Sequence, residues 1–145
     1  MRRRREEERE EDDGEDDDDA EDRPQSAAAV RRSVLSVSGG DRIMEALERA
    51  DKEVKDAATF RRSRAGASKS PNPLLLGMES APYVLWVLRT VGAAELEQSL
   101  LMLPLGHVER LLHYLIANLK AGRGVEVCAR SAVFLVKAHQ NQVRH

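Results

Sequence analysis

Between Pro104 and the paired glycines Gly122 and Gly124 runs VERLLHYLIANLK, in which Val108, Leu111, Leu112, Leu115, Ile116 and Leu119 recur at steps of three and four. That spacing gathers all six on one face of a helix and would scatter them over both faces of a strand. It predicts a helix over residues 107–120, stopped at both ends by its breakers. A helix of about four turns is marginal alone, so its apolar face must be buried against neighbours.

The same punctuation recurs through residues 74–145. Pro82 suits the first turn of a helix over 80–91, with Ser80 as its cap and Gly92 as its stop. A short helix over 93–103 ends before Pro104. The last, over 125–142, has Val125, Cys128, Ala129, Ala132, Val133 and Val136 on one face. Connections of a few residues make successive helices antiparallel, as in a bundle or a helical solenoid. The expected fold class is all-α.

Upstream, the chain is organised by charge. Residues 1–23 hold 14 acidic and six basic side chains, whereas the rest holds 11 acidic and 17 basic. A segment so poor in apolar surface cannot offset its ordering entropy. With the small, polar stretch that ends in Gly39-Gly40, it is expected to form a disordered acidic head and linker over 1–40. Asp41 then resembles an N-cap for an amphipathic helix over 41–59, with Ile43, Leu47, Ala50 and Val54 as a narrow apolar stripe. Its charged flanks predict a helix that crosses a partner or projects away from the core. A basic linker over 60–73 follows, leaving 74–145 as the helical domain.

Several function classes find no support. One cysteine excludes a disulfide framework and a Cys-based zinc site, and suits a reducing compartment. The longest pure apolar run, residues 83–88, falls far short of the ~20 residues that span a bilayer. The opening Met-Arg-Arg-Arg-Arg leads into acids instead of an apolar core, unlike a secretory signal. A soluble intracellular protein is expected. His107 and His113 are six apart, as are His139 and His145, so neither pair shares a helix face for a metal. Glu95 and Glu97 diverge on a helix, and Cys128 has no His-Asn or His-Asp constellation. The glycine turns lack the strand and lysine of a P-loop. No catalysis, cofactor, metal, small-molecule substrate or membrane contact is expected.

Two kinds of surface remain. YVLWVL is apolar nearly all round, so Tyr83, Leu85 and Trp86, with Leu111, Leu112, Leu115, Ile116 and Leu119, are candidates for a protein interface. Arg61, Arg62, Arg64 and Lys69 are candidates for RNA-phosphate contact, while Arg2, Arg3, Arg4 and Arg5 form a nuclear-localisation candidate. With five aromatic residues in the whole chain, RNA binding through stacking platforms is not expected.

Three segments, PNPLLLG (71–77), PYVLWVLRTVGAAELEQSLLMLP (82–104) and VEVCARSAVFLVKAHQNQV (125–143), resemble a known helical domain. It is the C-terminal domain of WD-repeat proteins of the small-subunit processome, of the Utp-twelve (Dip-two) type. GGDRIMEALERA (39–50) resembles the segment just upstream of that domain. The resemblance implies a non-catalytic scaffold in ribosome biogenesis, placed in the nucleus and nucleolus and serving 18S rRNA maturation. Its implied partners are sister WD-repeat subunits of the UTP-B subcomplex, met through their C-terminal helical domains. Pre-rRNA and the box C/D small nucleolar ribonucleoprotein are implied as indirect partners, and small nucleolar RNA binding is attributed to the family. The alternative is a non-specific RNA-binding or nuclear protein-interaction adaptor acting through the basic linker. Because the family domain continues past the HQNQ region, residues 74–145 are expected to be truncated at the C-terminus, and the chain partly molten or oligomeric.

Overall fold

The computed structural model describes residues 26–64 and 68–143; the expected acidic head, with Arg2, Arg3, Arg4 and Arg5, lies outside them. The described chain forms α1 (Ala27–Ser63), a 3-10 turn (Pro73–Leu75), α2 (Ser80–Val91), α3 (Ala93–Leu101), α4 (Leu105–Lys120) and α5 (Val125–Val143), with no strand among these residues. The fold is all-α, as the periodicity predicts.

The first helix departs from expectation in extent and in place. It runs 37 residues, through the Gly39-Gly40 pair read as a break and four residues into the expected basic linker. Ser26 starts it by accepting a hydrogen bond from the Ala29 amide at 3.2 Å, and Arg61 and Arg62 favour its C-terminal end. Each glycine inside a helix costs up to about 1 kcal/mol relative to alanine. Here the missing side chains permit close approach. A Cβ at Gly39 would stand 2.3 Å from Ser99 Oγ and 3.0 Å from Val91 Cγ1, and one at Gly40 would stand 3.0 Å from Met102 Cβ. The pair lets α1 lie directly on α3, and packing outweighs local propensity.

This helix is also part of the core. Ile43, Leu47 and Ala50 are buried in one cluster with Val84, Leu88, Leu100, Leu111 and Leu115. A narrow stripe suffices because Ala46 and Ala50 are small and bring the backbone close. Of the four stripe residues only Val54 is exposed.

Elsewhere the helices fall near their expected positions, with local differences. Ser80 is the first residue of α2 and not its cap; Glu79 holds that place. The Ser80 hydroxyl donates instead to the Ala50 carbonyl at 2.9 Å and ties α2 to α1. Pro104 is the N-cap of α4, which starts two residues earlier than expected. Buried Asn118 donates to the Ala81 and Tyr114 carbonyls at 2.9 and 3.0 Å and accepts from Arg123 Nε at 3.0 Å. It fastens α4 to α2 and to the turn before α5. In that turn Gly124 has φ +52°, and a Cβ there would meet Leu85 Cδ1 at 2.7 Å.

Packing extends beyond consecutive helices. The first helix lies on both α2 and α3, and α5 closes against α3 as well as α4. The first helix also reaches α4, and α2 reaches α5, so the helices pack around a shared core as a bundle.

Candidate protein-interaction surface

The eight apolar interface candidates divide sharply by depth. Tyr83, Leu85, Leu111 and Leu115 are buried, and Leu112 and Leu119 are half-buried against the core. These six hold the bundle together and present little or nothing to a partner. Trp86 and Ile116 alone are exposed, at 43% and 47%. Trp86 stacks on Tyr83 with ring centroids 6.3 Å apart and planes 18° from parallel. The Tyr83 hydroxyl in turn accepts from Arg49 Nη1 at 3.3 Å, and Arg49 pairs with Glu45. The indole is thus an exposed plate on a fixed base. On α5, Val125, Val133 and Val136 are about half exposed, on the flank that leads away from buried Cys128 and Leu135.

Two polar clamps secure α1, and sequence reasoning did not single out either. Asp51 accepts from Arg110 Nη1 at 2.7 Å and from the Tyr114 hydroxyl at 2.6 Å, which joins α1 to α4. Burial and the Asp51 carboxylate push the Tyr114 hydroxyl well above its ordinary pKa. Glu53 accepts from Lys69 Nζ at 2.7 Å and from Asn72 Nδ2 at 2.8 Å, which fastens the segment leading into the 3-10 turn. Between α1 and that segment lies a cleft of about 830 Å³, lined among others by Phe60, Arg61, Lys69 and Tyr114.

The hydrogen bond from Lys69 holds the Glu53 carboxyl below its usual range. A depressed carboxyl contributes stability above the unfolded-state pKa, ~4.3 for Glu, and loses it as pH falls through the folded value. Glu53→Gln should therefore be about 1–2 kcal/mol less stable than the parent at pH 7, with the gap narrowing as pH falls below ~4.3. A series of urea denaturations from neutral to acid pH checks this. A gap that stays constant across the series would assign the effect to packing instead of charge.

The basic candidates separate in the same way. Arg61, Arg62 and Arg64 are exposed at the end of α1, and the Arg64 guanidinium sits 5.9 Å from the Phe60 ring centre. Lys69 is engaged by Glu53. Cys128 is fully buried, and burial pushes its thiol pKa up. The His113 ring Nδ1 lies 2.8 Å from the Glu109 carbonyl oxygen of its own helix. Among the described residues no three His, Cys, Asp or Glu side chains gather as a metal site, and no helix is long and apolar enough to cross a membrane.

An all-α bundle with an aromatic plate and uncovered aliphatic side chains defines a helical domain with surplus apolar surface. Comparison with known proteins places it more narrowly. The profile of the Dip2/Utp12 family matches residues 80–145, which span α2 to α5. The chain is 30% identical over 120 residues, 78% of its length, to WD repeat-containing protein 3 of Homo sapiens. It is similar also to WD repeat-containing protein 3 of Mus musculus, 28% identical over 120 residues, again 78% of the chain. The WD repeat-containing protein 3 homolog of Dictyostelium discoideum is 26% identical over 129 residues, 82% of the chain. The chain spans 13% to 14% of the length of these relatives.

Proposed function

We propose that this chain is a non-catalytic assembly module in ribosome biogenesis, acting in small-subunit (18S) rRNA maturation within the small-subunit processome. The observation that carries the reading is the Dip2/Utp12 match over residues 80–145, on a bundle that leaves Trp86 and Ile116 uncovered. In this reading the partners are sister WD-repeat subunits of the UTP-B subcomplex, engaged through their C-terminal helical domains. Pre-rRNA and box C/D small nucleolar ribonucleoprotein are reached through those subunits, and the place of action is the nucleolus. Tryptophan at an interface centre is a common hot spot, worth about 2 kcal/mol or more when truncated. Trp86→Ala with Ile116→Ala should therefore weaken co-purification with sister subunits by about thirtyfold or more. Both side chains are exposed, so the variant should retain its thermal unfolding. Unaltered co-purification would overturn the proposal.

The exposed Arg61, Arg62 and Arg64 favour a second reading, a non-specific RNA-binding or nuclear adaptor that acts through its basic stretch. The same pull-down separates the two. Replacing the three arginines by glutamine should leave association intact in the first reading and abolish a salt-sensitive, RNA-dependent association in the second.

A further inference from the structure

Ser70 is the one serine or threonine of the chain that a proline follows. Proline disfavours helical backbone in the residue before it and so keeps that residue extended. Residues 68–72 accordingly form neither helix nor turn, and Ser70 is exposed. Its hydroxyl has no hydrogen-bond partner among the described residues, whereas Ser63, Ser80 and Ser99 donate theirs to the carbonyls of Phe60, Ala50 and Glu95. Among the described residues, the backbone amides of 68–70 likewise donate to no backbone carbonyl. The segment is nonetheless held in place. Lys69 and Asn72, on either side of Ser70, both donate to the Glu53 carboxylate of α1, at 2.7 and 2.8 Å.

We infer that Ser70 is a phosphorylation site for a proline-directed protein kinase, and that its phosphate takes Lys69 from Glu53. A kinase must bring a free hydroxyl in line with the γ-phosphate of ATP, which an exposed, extended segment permits and a helix resists. The bond from Ser70 Oγ to phosphorus forms as the bond from that phosphorus to the ADP oxygen breaks. ADP leaves, and the hydroxyl proton passes to the catalytic aspartate of the kinase. The product carries a charge of roughly −1.5 to −2 and strong acceptor oxygens. It stands between the two groups fastened on Glu53, so it repels that carboxylate and competes for the ammonium of its own neighbour, Lys69. Arg61 lines the same cleft, is exposed and has no ion-pair partner among the described residues, which gives the phosphate a second cation. Modification of Ser70 therefore acts on the attachment of this segment to α1.

The full chain is incubated with magnesium ATP and a proline-directed kinase, of the cyclin-dependent class in one arm and the mitogen-activated class in another. Peptide mass spectrometry should place a phosphate on Ser70 in at least one arm. Ser70→Ala should remove it, and Pro71→Ala should slow its incorporation about tenfold or more. Both side chains are exposed, so neither variant should change thermal unfolding. In the phosphorylated chain, carbon-detected NMR should show the Glu53 carboxyl titrating about one pH unit higher than in the unmodified chain, because it loses Lys69 and gains an anionic neighbour. No phosphate on Ser70 in either arm, an undiminished rate for the Pro71→Ala chain, or an unmoved Glu53 titration would each overturn the inference.

Discussion

The Leu47→Ala chain should unfold at lower urea than the parent, with a loss of about 3 kcal/mol, within the range of ~2–5 kcal/mol for emptying a fully packed leucine site. Leu47 has no exposed surface and packs in the cluster that contains Val84, Leu100 and Leu111, so its removal leaves a cavity between α1 and three other helices. Val54 supplies the control. It lies on the same predicted stripe but is 52% exposed, so Val54→Ala should stay within about 0.5 kcal/mol of the parent. For a domain with a total stability of roughly 5–15 kcal/mol, the Leu47 loss is a large share. The expected contrast follows from placing α1 in the core. A helix that only crossed a partner would tolerate both changes equally in the isolated chain, and a Leu47→Ala loss under about 1 kcal/mol would return α1 to that role.

The helices after Ser80 are legible in the sequence because each is bracketed by a breaker and carries its own stripe. Gly92, Pro104 and the Gly122-x-Gly124 turn all fall between helices. Periodicity gives the direction of a face but not its depth. Trp86 and Leu85 are adjacent in an apolar run, yet Leu85 is buried under Gly124 while Trp86 looks outward. The same limit explains α1. Its stripe is narrow by composition, but small residues let the backbone approach closely enough for a narrow stripe to reach the core. Gly39 and Gly40 read as a break because their use lies in Ser99 and Met102, some 60 residues along the chain, which no local window includes. The clamps share that obstacle, since the partners Asp51 and Tyr114 are 63 residues apart and nothing in either neighbourhood marks the pair.

Gly39→Ala tests that long-range use most directly, because two opposing effects differ in sign. Alanine favours the helix by up to about 1 kcal/mol and would stabilise α1 if its surroundings were open. They are not open. The new Cβ would stand 2.3 Å from Ser99 Oγ, 3.0 Å from Val91 Cγ1 and 3.1 Å from Ser99 Cβ. The Ser99 hydroxyl cannot swing aside freely, because it is fully buried and donates to the Glu95 carbonyl at 2.8 Å. Relief must come from moving α1 off α3, and overpacking of this kind costs typically ~1–3 kcal/mol or more. The net expectation is a loss of about 2 kcal/mol, with sign opposite to the helix propensity. Ser99→Ala removes the nearest atom, so in its presence Gly39→Ala should cost less, with a coupling of about 1 kcal/mol in a double-mutant cycle. The remaining contacts at 3.0 and 3.1 Å are tight enough that the rescue should be partial. If Gly39→Ala instead stabilises the chain, helix propensity governs this turn and the close crossing of α1 over α3 is absent; if the two changes are strictly additive, Ser99 is not the group that the alanine meets.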